Sequence, residues 1–364
     1  MRRSRFILVP IAGLAAAAAL AACGGGDDAA DGEIDVVTAF YPLTFATERV
    51  GGDHVSVTNL TPAGQEPHDL ELSPSDIAAI EEAEYVVYLK GFIPELDAAI
   101  EEYAADKSLD VLTAVDTLGY DSTEVFEDGH AEEAHTEEEH TDEHSEDGHD
   151  HAENEHSEEA TASEDASAEA DPSEDEHSEE GHDHDEELEG TDPHVWLDPT
   201  RYAAIGTAIA DGLAGLDDAN ADDYEAAAQA FADDLTALDA EIADGLAARG
   251  GDAIVTSHAA FGYLADRYGL DQVAISGLSP DQEPDTQRMA EVAEYVEANG
   301  VTTIFFETLV SPDIADTLAA ETGARTAVLN PLEGLTDEQV DAGADYFTVM
   351  RENLAELQTA LGAA

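Results

Sequence analysis

From Ile34 to Ala114, short β-branched runs alternate with stretches whose apolar positions recur every three or four residues. IDVVTAFYP, VSVTNLTP, EYVVYL and LDVLTAV predict strands, and LTFATERVG and PSDIAAIEEA predict helices between them. Strand alternating with helix implies a parallel sheet, because parallel neighbours need a crossover. The second helix opens on Ser73-Pro74-Ser75-Asp76, a start signal ahead of the apolar Ile77 and Ile80. The alternation returns from Ala253. AIVTSH, QVAISGL, TTIFFET and TAVLN predict strands, AAFGYLADRYG, PDTQRMAEVAEYVEANG and SPDIADTLAAETG predict helices, and a closing helix follows from Asp337. Between the two halves, Tyr224, Ala228, Phe231, Leu235, Leu238, Ile242 and Leu246 fall at spacings of three and four. One helix of about 25 to 30 residues fits, about 40 Å long, starting near Asn220 or Asp222 and stopping at Gly250-Gly251. The predicted fold class is therefore α/β: two Rossmann-like parallel-sheet lobes joined by one long rigid helix, with a cleft between the lobes.

Two regions break the pattern. At the N-terminus Arg2, Arg3 and Arg5 precede an apolar run from Phe6 to Ala22 that ends Leu20-Ala21-Ala22-Cys23. That run is short for a membrane span and carries the small residues that cleavage requires, so residues 1–22 read as a bacterial lipoprotein signal peptide. Cys23, the only cysteine, is then the lipid-bearing first residue of the mature chain, and residues 23–33 a flexible tether. With one cysteine the exported chain forms no internal disulfide. From about 121 to 190 apolar content collapses into Glu, Asp, His, Ser and Ala, a composition that builds no core and predicts a disordered insertion. The expected organisation is an N-terminal α/β lobe over 34–199 that includes this insertion, a linking helical region over 200–250, and a C-terminal α/β lobe over 251–364.

The charge sharpens this picture. The formal net charge is −74, and residues 127–189 hold 30 of the 86 acidic residues without one Lys or Arg. Nucleic acid and anionic lipid headgroups are excluded as natural partners. Ten of the fourteen histidines lie in the same acidic stretch: His130, His135, His140, His144, His149, His151, His156, His177, His182 and His184. Histidines two apart beside carboxylates, as in HDH, can share an ion. The insertion therefore reads either as a set of weak metal sites that raises the local ion concentration or as a solubilising spacer.

Four histidines remain outside it. His54, in GGDHVS, reads as exposed in a turn. His68 lies in TPAGQEPHDLELSPSD after the second strand, His194 in TDPHVWLDP where order returns, and His258 in IVTSHAAFG at a strand end. Loops beyond strand ends are where open α/β sheets bind ligands. One histidine at such a place is more often a hydrogen-bonded structural residue, but three converging imidazoles are a metal-binding set that leaves one position for a carboxylate or water.

In order and spacing, EPHDLELSPSD, DPHVWLDP, TSHAAFGYL and VLNPLEGLTDE resemble the metal-binding motifs of ABC-transporter solute-binding proteins that capture zinc or manganese. The likeness runs from about Ile34 to Leu361, includes the histidine-rich insertion before the second motif, and is nearest to the zinc-specific branch. The resemblance implies His68, His194 and His258 as ligands. Many members carry an aspartate at the position of Asn330, whereas a streptococcal-type zinc branch with an NPLE sequence uses the glutamate, here Glu333. Asn330 is a poor zinc ligand and Glu333 a good one; water is the rival. A carboxylate stands at the third position in manganese-selective relatives, so His258 and its N3O set favour tetrahedral zinc, although copper or nickel would also bind such a set.

Around these ligands, Glu307 in FFETLV is a carboxylate placed to hydrogen-bond a ligating imidazole, or an ordinary loop acid. Trp196 and Phe261 read as apolar packing, and Asp192 and Asp198 as turn or capping residues. The resemblance implies a zinc receptor, not an enzyme, lipid-anchored to the outer face of the cytoplasmic membrane and monomeric, that passes Zn2+ to an ABC permease. A manganese receptor or adhesin of the same fold is the alternative. A zinc hydrolase is the remote one, since no HExxH and no nucleophile elbow occur.

Overall fold

The computed structural model describes residues 32–120 and 190–363. The signal peptide, Cys23, most of the tether and the ten histidines of the insertion lie outside the described residues.

The first lobe carries β1 (Ile34–Thr38), α1 (Tyr41–Gly51), β2 (Val55–Asn59), α2 (Pro74–Glu82), β3 (Tyr85–Tyr88), α3 (Pro94–Tyr103) and β4 (Ser108–Asp110). Its four strands are all parallel, in the order β2-β1-β3-β4. Ser73 and Asp76 form a reciprocal capping box at the start of α2, as their spacing predicts. LDVLTAV departs from expectation: the strand ends at Asp110 and residues 111–114 form a 3₁₀ turn. The Asp110 carboxylate accepts from the backbone N–H of both Leu112 and Lys90, which turns the chain out of the sheet. PELDAAIEEY, not assigned from sequence, is α3; Pro94 at its start supplies the fixed φ of a first helical turn.

The long helix expected from near Asn220 or Asp222 is present, and a second helix precedes it in the linking region. α4 (Pro199–Leu216) and α5 (Ala221–Leu246) are joined by a four-residue turn and pack along each other. The seven periodic apolar residues of α5 are all buried. α4 lies so close over the first sheet that a β-carbon on Gly212 would collide with the Tyr85 hydroxyl. Together with α1 these helices hold Phe231, Tyr202 and Leu235 in a core that continues into the first sheet.

The second lobe repeats the plan with β5 (Ala253–Thr256), α6 (Gly262–Tyr268), β6 (Asp271–Ala274), α7 (Thr286–Asn299), β7 (Thr303–Phe306), α8 (Asp313–Thr322) and β8 (Arg325–Val328). Strand order is β6-β5-β7-β8, again all parallel. The closing helix expected from Asp337 is divided into α9 (Asp337–Ala342) and α10 (Tyr346–Leu361), because Gly343 adopts φ 73° and stops the first of them. Among the described residues no helix is long and apolar enough to cross a membrane.

In both sheets the strand order reverses direction next to the first strand of the lobe, between β1 and β3 and between β5 and β7. Such switch points open a crevice at the carboxyl ends of the strands. The first is filled by Phe40 and Phe92, stacked at 4.5 Å, with Trp196 5.0 Å from Phe40. The second holds His258 and Glu307.

Candidate metal centre

His258 follows β5 by two residues and Glu307 follows β7 by one, so adjacent parallel strands place them side by side. His258 Nδ1 lies 2.6 Å from Glu307 Oε1, which also accepts from the Ser257 hydroxyl. An ionised carboxylate only accepts, so Nδ1 carries the proton and Nε2 faces the cleft.

His194 reaches the same point from the segment that precedes α4. Asp192 Oδ1 accepts from the His194 backbone N–H at 2.9 Å and lies 2.8 Å from its Nδ1. The turn reading of Asp192 therefore describes half its contacts; it also fixes the ring, a contact that the two-residue spacing in DPH permits but does not announce. Behind it, Gly262 leaves no room for a β-carbon against the Asp192 carboxylate. Asp198, read as a cap, accepts from Thr200 N at 2.8 Å at the start of α4.

His68 sits in a 3₁₀ turn over residues 67–69, its backbone N–H held by the Glu66 side chain at 3.3 Å and its ring against Phe92 with centroids 4.2 Å apart. Glu333 comes from the loop after β8. Asn330 Oδ1 accepts from Leu332 N at 2.7 Å, and Leu332 is the one non-glycine residue with positive φ, 61°, among the described residues. A non-glycine residue in the left-handed region is costly and is held there by its surroundings. Trp196 adds a second hold: its ring packs as expected, while its Nε1–H donates to Pro331 O at 2.7 Å. Phe261 is fully buried, as core.

These four residues meet. Glu333 Oε1 is 3.1 Å from His194 Nε2, 3.2 Å from His258 Nε2 and 3.7 Å from His68 Nε2, and the His194 and His258 Nε2 atoms are 3.3 Å apart. All four ligand atoms lie within 4.8 Å of one another. Donors bound tetrahedrally to zinc at about 2.0–2.1 Å stand about 3.3 Å apart. The observed spacings bracket that value, and side-chain exposure of the four residues is 4% or less. His54 is elsewhere, 3.5 Å from Asp223 at the start of α5.

Electrostatics divide the set. Burial pulls every imidazole towards neutrality. At His258 the Glu307 and Glu333 carboxylates overcome burial and hold the ring well above its ordinary value. At His194, burial is likewise overcome by Asp192 and Glu333. At His68 burial wins and the ring is held below its ordinary value. Burial pushes the Glu333 carboxyl up, but the three imidazoles bring it well below the usual carboxylate range. Nearby, burial and the Glu333 charge push the Glu66 carboxyl up to about 9. Sequence reading did not single out Glu66, whose burial depends on how the lobes meet.

A family model described as the periplasmic component A of the zinc-uptake complex (ZnuA) matches residues 36–360. The chain belongs to this family. It is 36% identical over 333 residues to the zinc-binding lipoprotein AdcA of Streptococcus pneumoniae serotype 4, covering 90% of this chain and 56% of that protein. It thus spans little more than half the length of the streptococcal relatives it matches. It is 32% identical to the high-affinity zinc uptake system protein ZnuA of Bacillus subtilis strain 168, over 94% of this chain and 93% of the relative. Among solved structures, the Zn(II)-bound ZnuA-like domain of Streptococcus pneumoniae AdcA superposes with a TM-score of 0.64 at 32% identity, covering 91% of this chain and 99% of that one. The two-lobed parallel-sheet architecture is shared.

Proposed function

We propose that the protein is an extracytoplasmic receptor that captures Zn2+ in the cleft between its lobes and delivers it to an ABC permease. His68, His194, His258 and Glu333 are the ligands, with Asp192 and Glu307 orienting two of the rings. The observation that carries the reading is the convergence of three imidazole Nε2 atoms on one buried carboxylate oxygen, at spacings that suit tetrahedral zinc. Three nitrogens and one oxygen favour zinc over the oxygen-rich octahedral ions. Asp192 and Glu307 are engaged by imidazoles, so neither stands as a general base beside an open coordination position; this supports transport over hydrolysis. The full proposal has residues 1–22 as a removed signal peptide and Cys23 as a lipid anchor to the outer face of the cytoplasmic membrane. The receptor acts as a monomer, and the insertion collects zinc weakly beside the cleft.

Zinc titration calorimetry on chains lacking residues 127–189 tests the site. His68→Ala, His194→Ala and His258→Ala should each lose tight one-to-one binding; retention of it in all three would remove the assignment. Comparison with the full chain should show additional weak sites when the insertion is present, and identical isotherms would leave it a spacer.

A further inference from the structure

We propose that Asn330 is a specificity-determining residue: its side-chain amide holds the second carboxylate oxygen of Glu333, so that Glu333 offers the metal one oxygen only. The inference rests on the ligand set proposed above.

Glu333 uses its two oxygens unequally. Oε1 faces all three imidazoles, whereas Oε2 is buried without a hydrogen-bond partner among the described residues. The Nδ2 of Asn330 is buried and unpartnered as well. An orphaned acceptor and an orphaned donor therefore belong to two residues that border the same void, too tight to admit a water molecule. Buried polar groups are costly unless paired, and these two unpaired atoms are of opposite kind, one a donor and one an acceptor. Glu66 and Glu307 also border the void, but each already accepts through Oε1, from His68 N and from His258 and Ser257 respectively.

Asn330 is fixed, so the carboxylate is the partner that adjusts. Asn353 of α10 accepts from Asn330 N at 2.9 Å and donates to Asn330 O at 2.7 Å. Asn330 Oδ1 is committed to Leu332 N at 2.7 Å, and an amide flip would set two donors face to face there. Nδ2 therefore points in one direction. The terminal torsion of a glutamate is soft, so the carboxylate can turn its Oε2 towards this amide.

The consequence is coordination number. One carboxylate oxygen with three imidazoles gives the four-coordinate set that zinc prefers; two oxygens would give five donors and favour larger oxygen-seeking ions such as manganese. The residue type matters at this position. Aspartate would keep the acceptor for Leu332 N and replace the donor with a second anion.

Zinc K-edge absorption on the full chain carrying one equivalent of zinc tests this directly. Four donors with a single carboxylate oxygen near 2.0 Å are expected; two carboxylate oxygens on zinc in the unaltered protein would overturn the proposal without any variant. Asn330→Ser, which keeps a short acceptor for Leu332 N but brings no carboxylate, should add oxygen scattering to the spectrum and narrow the zinc-over-manganese preference, measured by competition titration, by about tenfold, the worth of one charge-assisted hydrogen bond. An unchanged spectrum and preference in Asn330→Ser would overturn it, as would a shift in Glu66→Gln with none in Asn330→Ser. A three-nitrogen, one-oxygen signature that survives in His258→Ala would instead sink the ligand set itself, and this proposal with it.

Discussion

The two lobes bring the same kind of sheet to the cleft and finish it differently. At the strand ends of the first lobe stand Phe40 and Phe92, and His68 lies against that aromatic wall with its ring held neutral by burial. At the strand ends of the second stand His258 and Glu307, with Ser257 beside them and Glu333 arriving from β8. One half of the site is apolar and lowers the local dielectric; the other supplies charge and fixes orientation. His194, tied to Asp192 on one side and to Glu333 on the other, bridges them. A buried carboxylate and neutral imidazoles cost little when a dication completes them, whereas each alone would be expensive. In the proposed site an electrostatically incomplete half thus faces an apolar one.

That contrast predicts a ranking of effects. His258→Ala removes both a proposed ligand and the partner of Glu307, and should lower zinc affinity by well over the 10–100-fold attributable to an orienting partner. Calorimetric affinity within about tenfold of the unaltered protein would make the second lobe dispensable. Next come Glu307→Gln and Asp192→Asn, which keep the ligands but loosen their rings. Each should cost about 10–100-fold in zinc affinity, read by chelator competition. A loss from Asp192→Asn alone would place the orienting role in one ring only.

Proton linkage gives the third test. His258 and His194 are held above the free imidazole value of about 6.5, so zinc must displace protons from them. Affinity should begin to fall at a pH above that value as pH is lowered, by about tenfold per unit for each proton displaced. Titrations in buffers of different ionisation enthalpy read the proton count. His68, held below its ordinary value, should contribute nothing until lower pH. The same shifts bear on the metal-free fold. A raised His258 stabilises it fully below about pH 6.5 and ceases to as pH rises through the folded value, while the lowered Glu333 stabilises above about pH 4.3 and ceases to as pH falls through its folded value. The metal-free melting temperature should therefore decline on the alkaline side in the unaltered protein and stay flatter in His258→Ala.

The smallest effect belongs to the aromatic wall. Phe92→Leu conserves much of the volume, and should cost less than about 1.5 kcal/mol in thermal or urea unfolding. Zinc affinity should change only a few-fold; a loss as large as that of Glu307→Gln would mean the first lobe orients His68 as tightly as the second orients His258.

Strands β1, β2, β3 and β5 to β8 and most helices were legible because burial of one face leaves a period in the chain. β4 was overread because LDVLTAV has a strand's composition, while the Asp110 side chain bends the backbone through hydrogen bonds that leave no periodic trace. α4 was absorbed into a linking region because the alanines and glycines of PTRYAAIGTAIADGLAGL blur its period, although the residues it buries, among them Tyr202, Ile205, Ile209 and Leu213, lie on one face.

By itself the sequence determined the paired α/β lobes, the long helix, and which histidines lie on loops beyond strand ends, since these follow from local periodicity and from spacing within short motifs. Only the tertiary structure decided that His68, His194, His258 and Glu333 share one point, that Asp192 and Glu307 each face a ring, and that Asn330 and Glu333 leave a donor and an acceptor beside one void. Those contacts join residues from about 50 to more than 250 positions apart along the chain, apart from the short Asp192–His194 and Asn330–Glu333 spans. Their distances and charges are set by how two lobes pack, and no period within either lobe encodes that.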